Sequence, residues 1–280
     1  MAVSDARWAL ITGASSGIGR AFAHALAAQG WSCLLTGRNA ARLHTVTETL
    51  RARWPRQEFD DLVLDLKDDA AVDTLVQWTC ARTDFVEMLI NNAGFGSFGR
   101  LDRLPVEAEI DMVRVHVEVP TVLTHRLLPE MIARRRGTIV FVGSLSGMMP
   151  TPYAITYAAT KVYLERFGLA LWEELRATGV RVYVLAPGFT ATALHERAVG
   201  VPSDVRARFR RSVHRFATTP EHVVAYCLRR MERRPYRCLI IPGLLNRMVV
   251  CTVRMLPMTW VTRTLGTLNR MAMRRLGIEP

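Results

Sequence analysis

The chain is predicted to be an α/β protein built on one doubly wound parallel sheet with helices on both faces. Three observations point there. Short apolar runs alternate with longer stretches of helical period along most of the 280 residues. Those runs are apolar at successive positions, as strands buried on both faces must be. A glycine-rich turn directly follows the first run, where a parallel sheet feeds its first crossover helix. Half of the residues are hydrophobic, enough for one large core.

Taken in order, "WALIT" (8–12), "SCLLT" (32–36), "LVLDL" (62–66), "EMLIN" (87–91), "TIVFVG" (138–143), "RVYVLA" (181–186) and "CLIIPG" (238–243) read as strands. Helical period fills 17–29, 40–54, 69–82, 106–135, 155–178 and 220–233. Pro120 inside the fourth of these predicts a kink or a break. There is no internal repeat and no Gly/Ser/Pro-rich linker, so one domain is expected, 1–242, with 243–280 as a helical extension. In that tail arginines punctuate a Met-, Leu- and Val-rich pattern, and Pro257 divides it into two helical pieces.

The five cysteines and seven histidines are scattered without metal-ligand spacing, which predicts no metal site and a reduced, cytoplasmic compartment. The N-terminus reaches an apolar strand too soon for a signal peptide, and no charge-free run approaches the ~20 residues of a spanning helix. The net charge of +12 is unevenly placed. Residues 204–280 hold sixteen arginines against Asp204, Glu221, Glu232 and Glu279, which accounts for all of it. Such a surface suits anionic partners: an acidic carrier protein, or an anionic membrane at whose inner face the protein would sit peripherally. No recognised motif accompanies these arginines, so nucleic acid is not expected.

The turn "TGASSGIG" offers Gly13, Ser15, Ser16, Gly17, Ile18 and Gly19 as cofactor-binding candidates. Its glycines let backbone approach a pyrophosphate, and the helix N-terminus behind presents free N–H groups. At the end of the second strand, where an acid would accept from a ribose 2′-hydroxyl, the chain has Gly37 and Arg38. A guanidinium there binds a 2′-phosphate, so NADP(H) is favoured over NAD(H).

Tyr157 and Lys161 stand at i and i+4 on a predicted helix, and Lys161 is one of two lysines in the chain. An ammonium beside a phenol stabilises phenolate, which predicts a lowered tyrosine pKa and general acid–base work. With "TGASSGIG", "NNAG" (91–94), "GSLSG" (143–147), "YAATK" (157–161) and "PGFTAT" (187–192) in this order and spacing, the chain resembles the short-chain dehydrogenase/reductase family from about residue 8 to 242. The resemblance implies a Rossmann-type sheet, a nicotinamide cofactor and hydride transfer at a carbonyl or alcohol carbon. It implies that Tyr157 moves the proton, Ser144 holds the substrate oxygen, and Lys161 holds the nicotinamide ribose. Asp65 and Leu66 would meet adenine, Asn91, Ala93 and Gly94 would line the cofactor, and Pro187, Gly188, Thr190 and Thr192 would orient the carboxamide. His116 stands where the family usually has a catalytic asparagine. In the family that residue's backbone carbonyl holds a water near the lysine and its side chain stabilises a helix distortion, so histidine would keep the carbonyl as a substituted packing residue in a distorted helix, the alternative being a titratable group near neutral pH.

Phe95, Met148, Tyr153 and Phe189 are expected to form an apolar substrate pocket, and the arginine-rich segment 193–217 a lid. The function expected is NADP-dependent reduction of a ketone or 3-oxoacyl group on a small apolar carbonyl or acyl-thioester substrate, by a homo-oligomer (dimer or tetramer). An alcohol or hydroxysteroid dehydrogenase working oxidatively, or a non-catalytic NADP sensor on the same fold, are the alternatives.

Overall fold

The computed structural model describes residues 6–191, 199–201 and 217–276. Its strands are β1 (Trp8–Thr12), β2 (Ser32–Gly37), β3 (Phe59–Val63), β4 (Val86–Asn91), β5 (Gly137–Val142), β6 (Val180–Leu185) and β7 (Leu239–Ile240). They pair in parallel in the order β3-β2-β1-β4-β5-β6-β7. The order reverses between β1 and β4, so the loops leaving those two strands diverge and open a crevice at their C-terminal ends.

Alternate side chains feed two cores. Ala9 and Ile11 of β1, Leu35 of β2 and Ile90 of β4 face α1 (Gly17–Ala27), α2 (Ala40–Arg53) and α7 (Pro220–Arg233). Leu10, Leu34, Leu89 and Phe141 face α3 (Ala71–Cys80), α5 (Val119–Ala133) and α6 (Ile155–Glu174). The strand runs read as apolar throughout because both faces are covered. The local signals for α7 are complete. Thr219 caps it by accepting from the His222 N–H at 3.2 Å, Pro220 opens it, and Val223, Val224, Cys227, Leu228 and Met231 form the buried stripe.

Three expectations shift. The third strand is Phe59–Val63 rather than 62–66, because Gly37 pairs with Val63 and the remainder of the apolar run bends off the sheet edge into the crevice. β7 is only two residues long, on an edge that Pro242 cannot extend. The 106–135 segment is α4 (Val106–Val113), a π-helical turn at Arg114–Glu118, then α5. The irregularity therefore precedes Pro120, which is the second residue of α5.

Beyond β7 run α8 (Leu244–Met255) and α9 (Met258–Leu276), divided at Pro257. Val250 packs on Met148 and Ala186. Arg254 reaches the buried Glu165 of α6 at 3.3 Å, and the Asn269 amide donates to the Pro152 carbonyl at 2.9 Å.

Candidate active site

The crevice is floored by the turn after β1. Gly13 takes φ 68°, and a Cβ on Gly19 would lie 2.4 Å from the Gly13 carbonyl oxygen, so only glycines allow this turn to fold against its helix. Ser16 precedes α1 in extended conformation and makes no side-chain cap, and no acid occupies the first turn. The α1 N–H groups thus face the crevice with an uncompensated positive dipole end. The loops after β1 and β4 are locked to one another. Thr12 Oγ1 accepts from the N–H groups of Asn92 and Ala93, both at 3.0 Å, while the Asn92 amide donates to the Thr12 carbonyl at 2.8 Å.

Ser15, Ser16, Gly17, Ile18, Arg38, Asp65, Leu66, Ala93, Gly94, Ser144, Tyr157, Lys161, Pro187, Gly188 and Thr190 line one cleft with Gly13. Gly19 packs behind the turn. Asn91 does not line the cleft. It is the last residue of β4 and shares the parity of Leu89, so its amide turns to Thr124 on α5. The neighbouring Asn92 takes the cleft position, and Gly37 and Lys67 line the cleft too. Thr192 lies outside the described residues, as do the six arginines of the expected lid.

The candidate reacting groups come from two elements. Ser144, two residues beyond β5, caps a 3₁₀ turn, Leu145–Met148, by accepting from the Ser146 N–H at 3.1 Å. Gly147 lets that turn lie on α6, since a Cβ there would meet the Lys161 backbone at 2.7 Å. The close approach brings Ser144 and Tyr157 to the same wall of the cleft. Burial pushes the Tyr157 phenol above its ordinary pKa, with the Ser144 hydroxyl working in the opposite sense. Burial also lowers Lys161, to about 8, and its ammonium donates to the Val142 carbonyl at 3.0 Å. The expectation of a tyrosine lowered by Lys161 is therefore reversed in the free protein: burial raises the phenol, and the Lys161 ammonium is turned to the Val142 carbonyl. A phenol that keeps its proton is an acid.

His116 sits in the π turn, 1% exposed. Its Nε2 accepts from the Phe95 N–H at 3.1 Å, and its Nδ1 lies 2.9 Å from Thr160 Oγ1. The Thr160 hydroxyl spends its hydrogen on the Tyr157 carbonyl at 2.9 Å, so it must accept from Nδ1–H. Both ring nitrogens are committed to the neutral tautomer. Burial, and then the Lys161 charge, hold its pKa well below the usual range. The alternative of a group titrating near neutrality is thereby removed. His116 instead ties the loop after β4 to the helix of Tyr157.

On the substrate side Phe95 and Phe189 line the cleft, and Phe189 is exposed. Met148 does not; it is buried beneath α8 with Ala186 and Val250. Tyr153 adopts φ 69° and lines a separate cavity of about 560 Å³ beside α9, with Arg263 and Arg270. Sequence alone could not separate the two because it shows no contact with the tail.

The profile of the short chain dehydrogenase family matches residues 7–199. The chain belongs to that family. As a short-chain dehydrogenase it is an oxidoreductase that uses a nicotinamide cofactor. Sulfoacetaldehyde reductase of Chromohalobacter salexigens is 41% identical over 187 residues, 65% of this chain and 72% of that protein. A short-chain dehydrogenase from Sphingobium yanoikuyae in complex with NADPH superposes with TM-score 0.76 at 25% identity, over 89% of this chain and 94% of that one. One from Burkholderia phymatum in complex with NAD gives 0.79 at 24% identity, over 100% and 98%, a likeness of fold that includes the tail. The turn a Cβ would block and the open α1 N-terminus fit a dinucleotide pyrophosphate. When bound, the cofactor supplies or accepts the hydride. Ser15, Ser16 and Gly17 would hold its phosphates, and Lys161 would hold its ribose.

Proposed function

We propose that the protein is an NADP-dependent reductase that converts a ketone or 3-oxoacyl group on an apolar substrate to the alcohol, with Tyr157 as the proton donor. The observation that carries this reading is that the half-buried Tyr157 phenol, which burial keeps protonated, shares one cleft with Ser144 and has the Lys161 ammonium over its ring. In this reading both hydroxyls bind the carbonyl oxygen, Tyr157 delivers its proton there, and Lys161 keeps the resulting phenolate in its charged form. Phe95 and Phe189 support an apolar substrate. Arg38 supports NADP: it lines the cleft and has no carboxylate partner among the described residues. We assign it to the cytoplasm as a homo-oligomer whose basic C-terminal quarter meets an anionic partner, an acyl carrier protein or a membrane surface.

The test is NADPH oxidation against a carbonyl panel that includes 3-oxoacyl thioesters, hydroxysteroid ketones and sulfoacetaldehyde. Turnover of apolar ketones supports the reading. Turnover of sulfoacetaldehyde alone would replace the apolar substrate with a small anionic one. Tight NADPH binding with no turnover of any carbonyl would leave a sensor.

A further inference from the structure

The last two helices are docked by one face and left open on the other. On α8, Val250 is buried while Leu245, Met248, Val249, Met255 and Leu256 are exposed. Their spacing of three and four places them on one stripe. Arg247 and Arg254 are seven residues apart, on the side of the helix opposite that stripe. On α9, Val261 and Met273 are buried, and Trp260, Leu268 and Met271 form a second exposed stripe; Trp260 is 64% exposed. Exposed apolar side chains occurring singly are ordinary on a protein surface, but eight in two regular stripes are not.

Charge says what covers them. Residues 244–276 contain six arginines and no aspartate or glutamate. Among the described residues only Arg254 of these six forms an ion pair, with Glu165. Arg263 and Arg270 face the cavity shared with Tyr153, beside the α9 stripe. A second copy of the same face would bring arginine against arginine with no acid between them. A lipid surface answers both features, because its phosphates take guanidinium groups and its acyl boundary takes Leu, Met and Trp. No described helix is long and apolar enough to cross a membrane, so such an arm would lie in the interface rather than span it.

We propose that α8 and α9 form an interfacial arm that binds anionic phospholipid bilayers, with the two apolar stripes inserted at the headgroup boundary and Arg263 and Arg270, beside the α9 stripe, on phosphate. This binding does not depend on which carbonyl the enzyme reduces.

The experiment is co-sedimentation of the full-length protein with vesicles of mixed phosphatidylglycerol and phosphatidylcholine, and with pure phosphatidylcholine, at low salt and at about 1 M, where charge is screened within about 3 Å. The variant combines Leu245→Gln, Met248→Gln and Trp260→Gln, all at exposed positions, and its thermal melt verifies folding. The wild type should bind the acidic vesicles at least about tenfold better than the neutral ones and keep part of that binding in high salt. The variant should lose about tenfold at both salts, since insertion depends on buried apolar area. Binding erased by salt and indifferent to the variant would overturn the proposal in favour of a purely electrostatic partner such as an acidic carrier protein. Absence of vesicle binding would overturn it as well. If self-association then weakened in the variant by sedimentation equilibrium, the stripes would be an interface between copies.

Discussion

Tyr157 keeps its proton at neutral pH because burial disfavours the phenolate, and on the proposed reading the cost of losing it follows directly. Tyr157→Phe should lower kcat by about 10²–10⁴ while NADPH affinity, measured by fluorescence titration, stays within about twofold. A variant retaining a tenth of the rate would move the acid elsewhere. Lys161 sets the alkaline limb. Its pKa of about 8 means that the ammonium is present at pH 7 and mostly gone at pH 9. kcat/KM for reduction should therefore fall above pH 8, approaching about tenfold per unit, and cofactor affinity should fall with it. His116 adds no limb between pH 6 and 7, since burial and Lys161 keep it neutral. His116→Asn should leave the profile there unchanged; a titration step that vanished with the imidazole would make it a proton carrier. At the cofactor's far end, Arg38→Asp should reverse the ratio of NADPH to NADH specificity constants, because a carboxylate repels a 2′-phosphate and accepts from a 2′-hydroxyl. A wild-type preference for NADH would remove the basis for this.

The π turn shows how an element carries chemistry that its residues do not advertise. In an α-helix the His116 carbonyl would accept from the N–H of residue 120, and Pro120 has none. The chain widens just before that proline, at Arg114–Glu118, and the carbonyl loses its ordinary partner. Pro120→Ala supplies the missing donor. It should lower kcat by about tenfold, with the circular dichroism spectrum retained, less than the loss of the acid itself. An unchanged rate would leave the turn as packing.

The same element marks the boundary of what sequence could reveal. The glycine turn and the Tyr157–Lys161 pair were legible because each rests on local geometry, a backbone approach or a helical period, whereas Ser144 came only with the family resemblance. Pro120 signalled an irregularity, and its missing N–H assigns it to the preceding turn, but the pattern alone does not say that the chain answers with a π turn rather than a kink. Asn91 was misplaced by one residue although strand parity with Leu89 assigns it to the helix side. Met148 and Tyr153 were misread for a different reason. Their surroundings are set by residues more than a hundred positions later, Val250, Arg254 and Arg270, and no local pattern carries that information.

At the scale of the molecule, the tail and α6, the helix of Tyr157 and Lys161, share an ion pair. Glu165 is almost wholly buried, its partner Arg254 is half exposed, and burial raises the Glu165 pKa against the pull of Arg166 and Arg254. Arg254→Ala should cost about 1–2 kcal/mol at neutral pH, the scale for stranding a partly solvated buried group. A carboxyl whose folded pKa lies above its unfolded value stabilises most when protonated and loses that contribution as pH rises through the folded value. The melting deficit of Arg254→Ala should therefore shrink from neutral pH towards pH 4–5. A deficit independent of pH would mean that packing, not charge, is lost.

That ion pair also decides how the tail can be studied. Glu165 lies one helical turn beyond Lys161, and Val250 roofs Met148, the last residue of the turn that begins after Ser144. Cutting the chain after β7 would strip the cover from a buried carboxylate and from the serine turn together. Such a deletion would alter turnover whether or not a membrane is present. The tail is in this sense a keystone rather than an appendage, and its outward role can be read only through changes confined to its outward side.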